Sequence, residues 1–388
     1  MSRLTLAGIL DNREVRQTLF PVTRERIFLA HAGVCPLPRL ASMAVAASAD
    51  AGTTDQQEAG DFMGTIAAAR RSAASLIGAK PEEIALLGPT ALGLSLVANG
   101  LDWRPNDEVV YYPDDYPANV YPWLDLQRHN VRPVPLRPAL PGRLTPDLVL
   151  SALSPRTRLV ALASCHFLTG CRLDYRAIGS ELQKRGILFS IDGIQSLGAT
   201  ELDAAYFDFL SADAHKWMLG PLGAGIFFVK QSAMNRLRPS LLGAWNVVSP
   251  QFIAQPVVEF EPTARRYEPG SLNMVGIAGM KASLDLLLEI GIGPIQERLR
   301  HLHRFTREKL EAGGWEVCGS ADRPEEHSGI VTCTKAGVDL KTKFQEMQKR
   351  RISVSLRWDR QEKPWIRFSP HFYNTEDELR EAIGALAA

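Results

Sequence analysis

Short apolar runs bounded by turn residues recur along the chain. Ile187 to Ile191 is one such run and ends on Asp192; Phe207 to Ala212 is another and leads to His215-Lys216; Ala224 to Val229 follows a Gly/Pro-rich turn. Glu83 to Leu87, Glu108 to Tyr112 and Arg158 to Ser164 have the same character, and Arg26 to Gly33 is a shorter run ending in small residues. Runs of this length predict buried strands. Helical spacing separates them. Met43 to Ala79 reads as one or two Ala-rich helices, Leu173 to Arg185 as an amphipathic helix, and residues 1 to about 25 as helical, stopped at Phe20-Pro21. Met274 to Ala312 is a long helical region broken at Gly291-Ile292-Gly293-Pro294, and strands are expected at Gly329 to Thr334 and Ile352 to Leu356. Residues 231 to 264 are irregular, with Pro239, Pro250, Pro256 and Pro262, as at a functional loop or an interface. Alternating strands and helices predict an α/β fold: a large α/β/α domain with a mainly parallel sheet over residues 20–285. A small α+β domain follows over 286–388, joined by residues 1–19.

Composition adds limits. With 388 residues the chain has material for two cores, and 45% hydrophobic with 22% charged residues is ordinary for a globular protein. A net charge of +1 without single-sign runs leaves no electrostatic footprint for nucleic acid or an anionic membrane. Leu4 to Leu10 is too short, and too soon followed by Asp11, for a signal peptide or a membrane span. Cys35, Cys165, Cys171, Cys318 and Cys333 lack metal-ligand spacing, so no metal and a reducing, cytoplasmic location are expected.

The chemistry gathers where strands end. In open α/β sheets, ligands sit beyond the carboxyl ends of the strands, and Asp192 and Lys216 both fall there. A buried acid beside a buried amine suits pyridoxal phosphate (PLP). The amine forms the Schiff base, and the carboxylate keeps the pyridine nitrogen protonated. The ordered set Asp192-Gly193-Ile194-Gln195, His215-Lys216 and Gly220-Pro221 resembles the class V aminotransferases, which are fold type I PLP enzymes. Cysteine desulfurases, selenocysteine lyases, isopenicillin N epimerase and kynureninase belong to that family. The likeness runs over nearly the whole chain from Arg26.

The resemblance implies a role for each matching position. Lys216 carries the cofactor and moves the Cα proton, Asp192 stabilises the pyridinium, and Gln195 sets the 3′-oxygen; His166 either does the same or is simply bonded to backbone. Gly88 to Gly93 joins a strand to a helix, so Thr90 and the backbone of Ala91 and Leu92 form an anion site for the phosphate. Plain helix capping by Thr90 is the alternative. Tyr116 covers the ring or simply packs. His215 serves phosphate or ring face, and Asp213, where desulfurases have Ser, orients His215 or a backbone N–H. Ser271, in Arg265 to Asn273, reaches the phosphate of a neighbouring subunit or caps the next helix, so a homodimer with shared sites is implied. Arg367 grips the substrate carboxylate, with Arg357 as second candidate, and Ala32-Gly33 lie beside the substrate. His31, where relatives have Asn, reads as a turn residue with a satisfied imidazole.

The expected substrate is a small α-amino acid, and the expected reaction begins with Cα deprotonation. An aminotransferase or a β-eliminating carbon–sulfur lyase fits first, and an epimerase is the alternative. A desulfurase or selenocysteine lyase is disfavoured, because Trp358-Asp359-Arg360-Gln361-Glu362 has no sulfur-accepting cysteine after Arg357. A catalytically silent binding protein of the same fold is the reading from another class, and the intact Lys216 and Asp192 argue against it.

Overall fold

The computed structural model describes residues 4–58, 60–319 and 323–387. Seven strands build the main sheet: β1 (Ile84–Leu86), β2 (Glu108–Tyr111), β3 (Arg132–Pro135), β4 (Thr157–Ala163), β5 (Leu188–Asp192), β6 (Phe209–Asp213) and β7 (Gly225–Val229). Their order is β1-β7-β6-β5-β4-β2-β3. The steps from β6 through β5, β4 and β2 to β3 are parallel, and β7 runs antiparallel to both its neighbours.

The two-residue period of a strand sorts the sheet's side chains into two cores. Val110, Val160, Leu162, Phe189, Ile191, Leu210 and Phe228 face one, where Phe62–Ile77 and Met274–Ile290 pack through Ile66, Ala69, Ala73, Ile277, Met280 and Leu284. Val109, Leu159, Ala161, Leu188, Phe209 and Phe227 face the other, covered by Leu94, Val97 and Ala98 of the helix Thr90–Gly100. Every one of these is buried, and each large one contributes about 2 kcal/mol.

A second sheet is antiparallel, in the order β10-β11-β9-β8, from β8 (Glu316–Val317), β9 (Val331–Thr334), β10 (Ser355–Trp358) and β11 (Pro364–Phe368). Its own core gathers Val331, Cys333, Ile366 and Phe368 with Leu340, Met347 and Leu379 from the covering helices. No helix among the described residues is long and apolar enough to cross a membrane.

Three expectations change in detail. The N-terminal helix is three short ones, Leu6–Leu10, Arg13–Leu19 and Val22–Glu25, because Asn12 accepts from the N–H groups of Glu14 and Val15 and restarts the helix. Residues 1 to 3 lie outside the described residues. The run from Ile352 to Leu356 is two strands, since Ile352–Ser353 pairs with Ile27–Phe28 and Ser355 begins β10. The break expected at Gly291 to Pro294 is confined to Gly291, whose φ of 95° only glycine adopts freely.

Candidate active site

Strand parity aims the acids of the site. Asp192 shares the face of Leu188, while Ser211 and Asp213 share that of Phe209, so all three point toward the helix Thr90–Gly100. Ser211 donates to the Thr90 carbonyl at 2.9 Å, and the Asp213 N–H donates to Thr90 Oγ1 at 2.8 Å. Gly93 permits this approach, for a Cβ there meets Ser211 Cβ at 2.8 Å and Phe227 Cδ2 at 2.9 Å. The helix terminus is thereby pinned to the end of β6.

Lys216 lies in the tight turn after β6. Gly220 N–H donates to the Ala214 carbonyl at 2.8 Å, Leu219 N–H to Lys216 at 3.2 Å, and Leu219 is held at φ 57°, in the left-handed region. A bulky residue there is strained, and such strain is common at functional turns. The Lys216 side chain is buried and projects into a cavity of about 350 Å³. Ala32, Gly33, Thr90, Ala91, Tyr116, Asp192, Gln195, His215, Arg357 and Arg367 line the same cavity. Its amine stands 5.4 Å from the Tyr116 ring centroid.

Electrostatics and burial oppose one another here. Burial pulls the Lys216 amine below the ordinary lysine value; Asp192 draws it back up, while Arg367 and Arg357 push it further down. Burial raises the Asp192 carboxyl, the charge of Asp115 adds to this, and the Ile194 N–H and Lys216 partly offset it. The Ile194 N–H reaches Asp192 Oδ1 at 3.0 Å; no described residue hydrogen-bonds the other oxygen. Asp213 Oδ2 lies 2.9 Å from His215 Nδ1, close but not aligned as a hydrogen bond, and Asp213 Oδ1 accepts from the Ala214 N–H at 2.9 Å. Asp213 therefore faces His215 and backbone donors, away from the cavity.

The helix terminus offers fewer donors than expected. Pro89 is the N-cap, so Thr90 is the first helical residue and not the cap. Thr90 and Ala91 carry N–H groups without an intrahelical acceptor. Leu92 is a correction: its N–H is taken by the Pro89 carbonyl at 2.8 Å, and it does not line the cavity.

His166 is a second correction. Its ring nitrogens meet Thr169 Oγ1 and the Asp114 carbonyl, each at 3.0 Å, so neither is left for a ligand, and burial lowers its pKa to about 4. Gln195 stays at the cavity, with Oε1 accepting from Trp217 at 2.8 Å and Nε2 donating to the Ala32 carbonyl at 3.1 Å. His31 is buried between the Ser369 carbonyl at 2.9 Å and Tyr373 Oη at 2.6 Å, a satisfied imidazole. Ser271 is exposed, is not among the residues lining the Lys216 cavity, and lines a separate hollow with Ser48 and Gln56. The following helix is capped by Asn273, which accepts from the Gly276 N–H at 3.0 Å.

Sequence reading misses Asp115. This buried acid accepts from the Tyr116 N–H at 2.7 Å and Asn119 Nδ2 at 3.0 Å, and burial lifts it to about 6. It lines a small void with Asp192 and Lys216. The available signal is an acid next to Tyr116 with an amide four residues on. Phe167 is also on the cavity wall.

These residues fit PLP. A helix terminus suits a phosphate, a buried carboxylate with one free oxygen suits a protonated ring nitrogen, and an amine of lowered pKa suits imine formation. The comparisons agree. A probable cysteine desulfurase of Methanothermobacter thermautotrophicus is 31% identical over 242 residues, 62% of this chain and 59% of that protein. The isopenicillin N epimerase of Amycolatopsis lactamdurans is 28% identical over 336 residues, 82% of this chain and 83% of that one. Among solved structures, the cystine C–S lyase C-DES in complex with its product cysteine persulfide shares the fold with a TM-score of 0.86. It is 21% identical, covering 95% of this chain and 99% of the other. The family model for Aminotransferase class-V matches residues 42–381. A match of that extent, on a site whose charges suit the cofactor, places the chain in the class V aminotransferase family of PLP-dependent enzymes.

Proposed function

We propose that this enzyme deprotonates the Cα of an α-amino acid, with Lys216 as the base, and completes a transamination or a β-elimination without help from a thiol. The observation that carries this reading is one cavity holding a buried amine, a buried acid and the Arg367 guanidinium, whose Nε has no hydrogen-bond partner. When bound, PLP supplies an electron sink conjugated to the substrate Cα. Thr90 and Ala91 N–H groups would hold its phosphate, Asp192 would keep its ring nitrogen protonated, Gln195 would meet its 3′-oxygen, and Tyr116 would cover the lysine side. Arg367 fixes the substrate carboxylate, beside Ala32 and Gly33. With the cofactor bound, the free Lys216 amine would accept the substrate Cα proton and hold it for the later protonation step. His215, held by Asp213, orients the ring face.

The thiols are poorly set for nucleophilic work. Burial raises the thiols of Cys35 and Cys165 to about 12 and Cys318 to about 11, and it raises Cys171 and Cys333 as well. A thiolate nucleophile needs the opposite shift. Epimerisation remains a second reading, favoured by the likeness to isopenicillin N epimerase over 82% of this chain. Ser271, exposed in one chain, supports a homodimer in which it completes the neighbour's phosphate site.

The test is a screen of amino acids on PLP-loaded enzyme, reading keto acid, ammonia, sulfide and chirality. It is repeated after all five cysteines are replaced by Ser or Ala. A keto acid should form from at least one amino acid, and the cysteine-free enzyme should keep that activity. If Cys35→Ala or Cys165→Ala alone ends turnover with the cofactor still bound, thiol-free chemistry is wrong. Chirality lost without keto acid selects the epimerase.

A further inference from the structure

Arg357 and Arg367 sit on neighbouring strands of the small sheet. Ser355 pairs with Arg367 and Arg357 with Trp365, so the two arginines are diagonal neighbours on one face. Diagonal neighbours stand about 7–8 Å apart, and like charges so placed repel. Arg367 reaches Ser355, and Arg357 reaches Gly33. Arg367 Nη2 lies 3.5 Å from Ser355 Oγ, and a Cβ built on Gly33 lies 3.8 Å from both Ser355 Oγ and Arg357 Nη2. Arg367 is 1% exposed, with Nη1 on the Phe167 carbonyl and Nε unpartnered. Arg357 spends one nitrogen on its own strand, donating to the Leu356 carbonyl at 3.0 Å. No described carboxylate offsets either charge. Both guanidinium groups line the Lys216 cavity.

One substrate α-carboxylate occupies one guanidinium fork. The second guanidinium then faces the same cavity without an anionic partner. We infer that the substrate carries a second anionic group on its side chain, with Arg367 holding the α-carboxylate and Arg357 the distal anion. Alanine-like and unmodified cysteine-like side chains leave Arg357 unmatched. A dicarboxylic amino acid, or one ending in a sulfinate or sulfonate, satisfies both.

This rests on the reading of the cavity as an amino-acid site, and the test separates the two. Binding of succinate and glutarate to the PLP-loaded enzyme is measured by calorimetry against propionate and butyrate. The kcat/KM values for aspartate, glutamate and cysteine sulfinate are compared with that for alanine. Dicarboxylates should bind about tenfold or more tighter than monocarboxylates, and dianionic amino acids should be preferred by a similar factor. Arg357→Gln should collapse that preference ratio, and Arg357→Lys should restore part of it. Equal binding of the two classes overturns the inference. So does an Arg357→Gln enzyme, folded by circular dichroism, that weakens both classes equally or loses only PLP affinity. If monocarboxylic amino acids perturb the cofactor's absorbance and turn over without such a preference, the inference fails while the amino-acid site stands. If no amino acid perturbs it, both fail.

Discussion

Lys216 and Asp192 are each buried against their own charge, and each is the other's partial compensation. For the lysine, burial lowers the amine and Asp192 raises it, so the sign of a substitution can be worked out. The neutral amine grows with pH, and capture of PLP by the apoenzyme should follow it. The midpoint should lie below the ordinary lysine value, and Asp192→Asn should move it lower still by removing the carboxylate that supports the charged form. Stopped-flow measurement of the visible absorbance against pH reads both. A midpoint at the ordinary lysine value, or an upward move in the variant, contradicts the electrostatics. Steady-state turnover of Asp192→Asn should fall by about 10²-fold or more, because the ring nitrogen loses its buried counter-charge. Both residues were legible in the sequence because each follows an apolar run. His166 misled for a physical reason. Its neighbours Thr169 and Asp114 come from a local turn and a distant loop, and no one-dimensional pattern shows that both nitrogens are taken. Asp115 was missed for the converse reason, since a loop acid is ordinarily solvated.

Among elements, the stretch from β5 to β7 was the most legible, because buried strands and their turns are local patterns. The pairing of Ile352–Ser353 with Ile27–Phe28 was not, because one apolar run serves two sheets in succession. The helix Thr90–Gly100 ties sequence to function most tightly. Its N-terminus reaches the site only because Gly93 lets it lie against Ser211 and Phe227. Gly93→Ala should push the helix outward and weaken PLP binding about tenfold, with Lys216 capture still occurring once saturated. Equilibrium titration of the apoenzyme with PLP measures this. An unchanged affinity in a folded variant removes the helix terminus as the phosphate holder.

For the whole molecule, the two sheets divide the work. The large one places Asp192, Lys216 and the helix terminus, and the small one presents Arg357 and Arg367 across the cavity. The expected division at residue 286 falls inside the helix Met274–Ile290. We propose the boundary at Gly291, where the chain breaks. The N-terminal segment joins the C-terminal one, for Phe20 stacks on Tyr373 at 4.0 Å and Arg16 pairs with Glu378 at 2.8 Å. Ser271 lies outside this arrangement, which is why we assign it to a second copy. Sedimentation of the active enzyme should show a dimer, and full activity in a monomer removes that role.

The central claim is that Lys216 carries the cofactor. Borohydride reduction of the PLP-loaded enzyme fixes the cofactor to the nitrogen that holds it, and peptide mass mapping then locates the adduct. One adduct is expected, on Lys216. An adduct on another lysine, or none on an enzyme that has kept its visible absorbance, contradicts it.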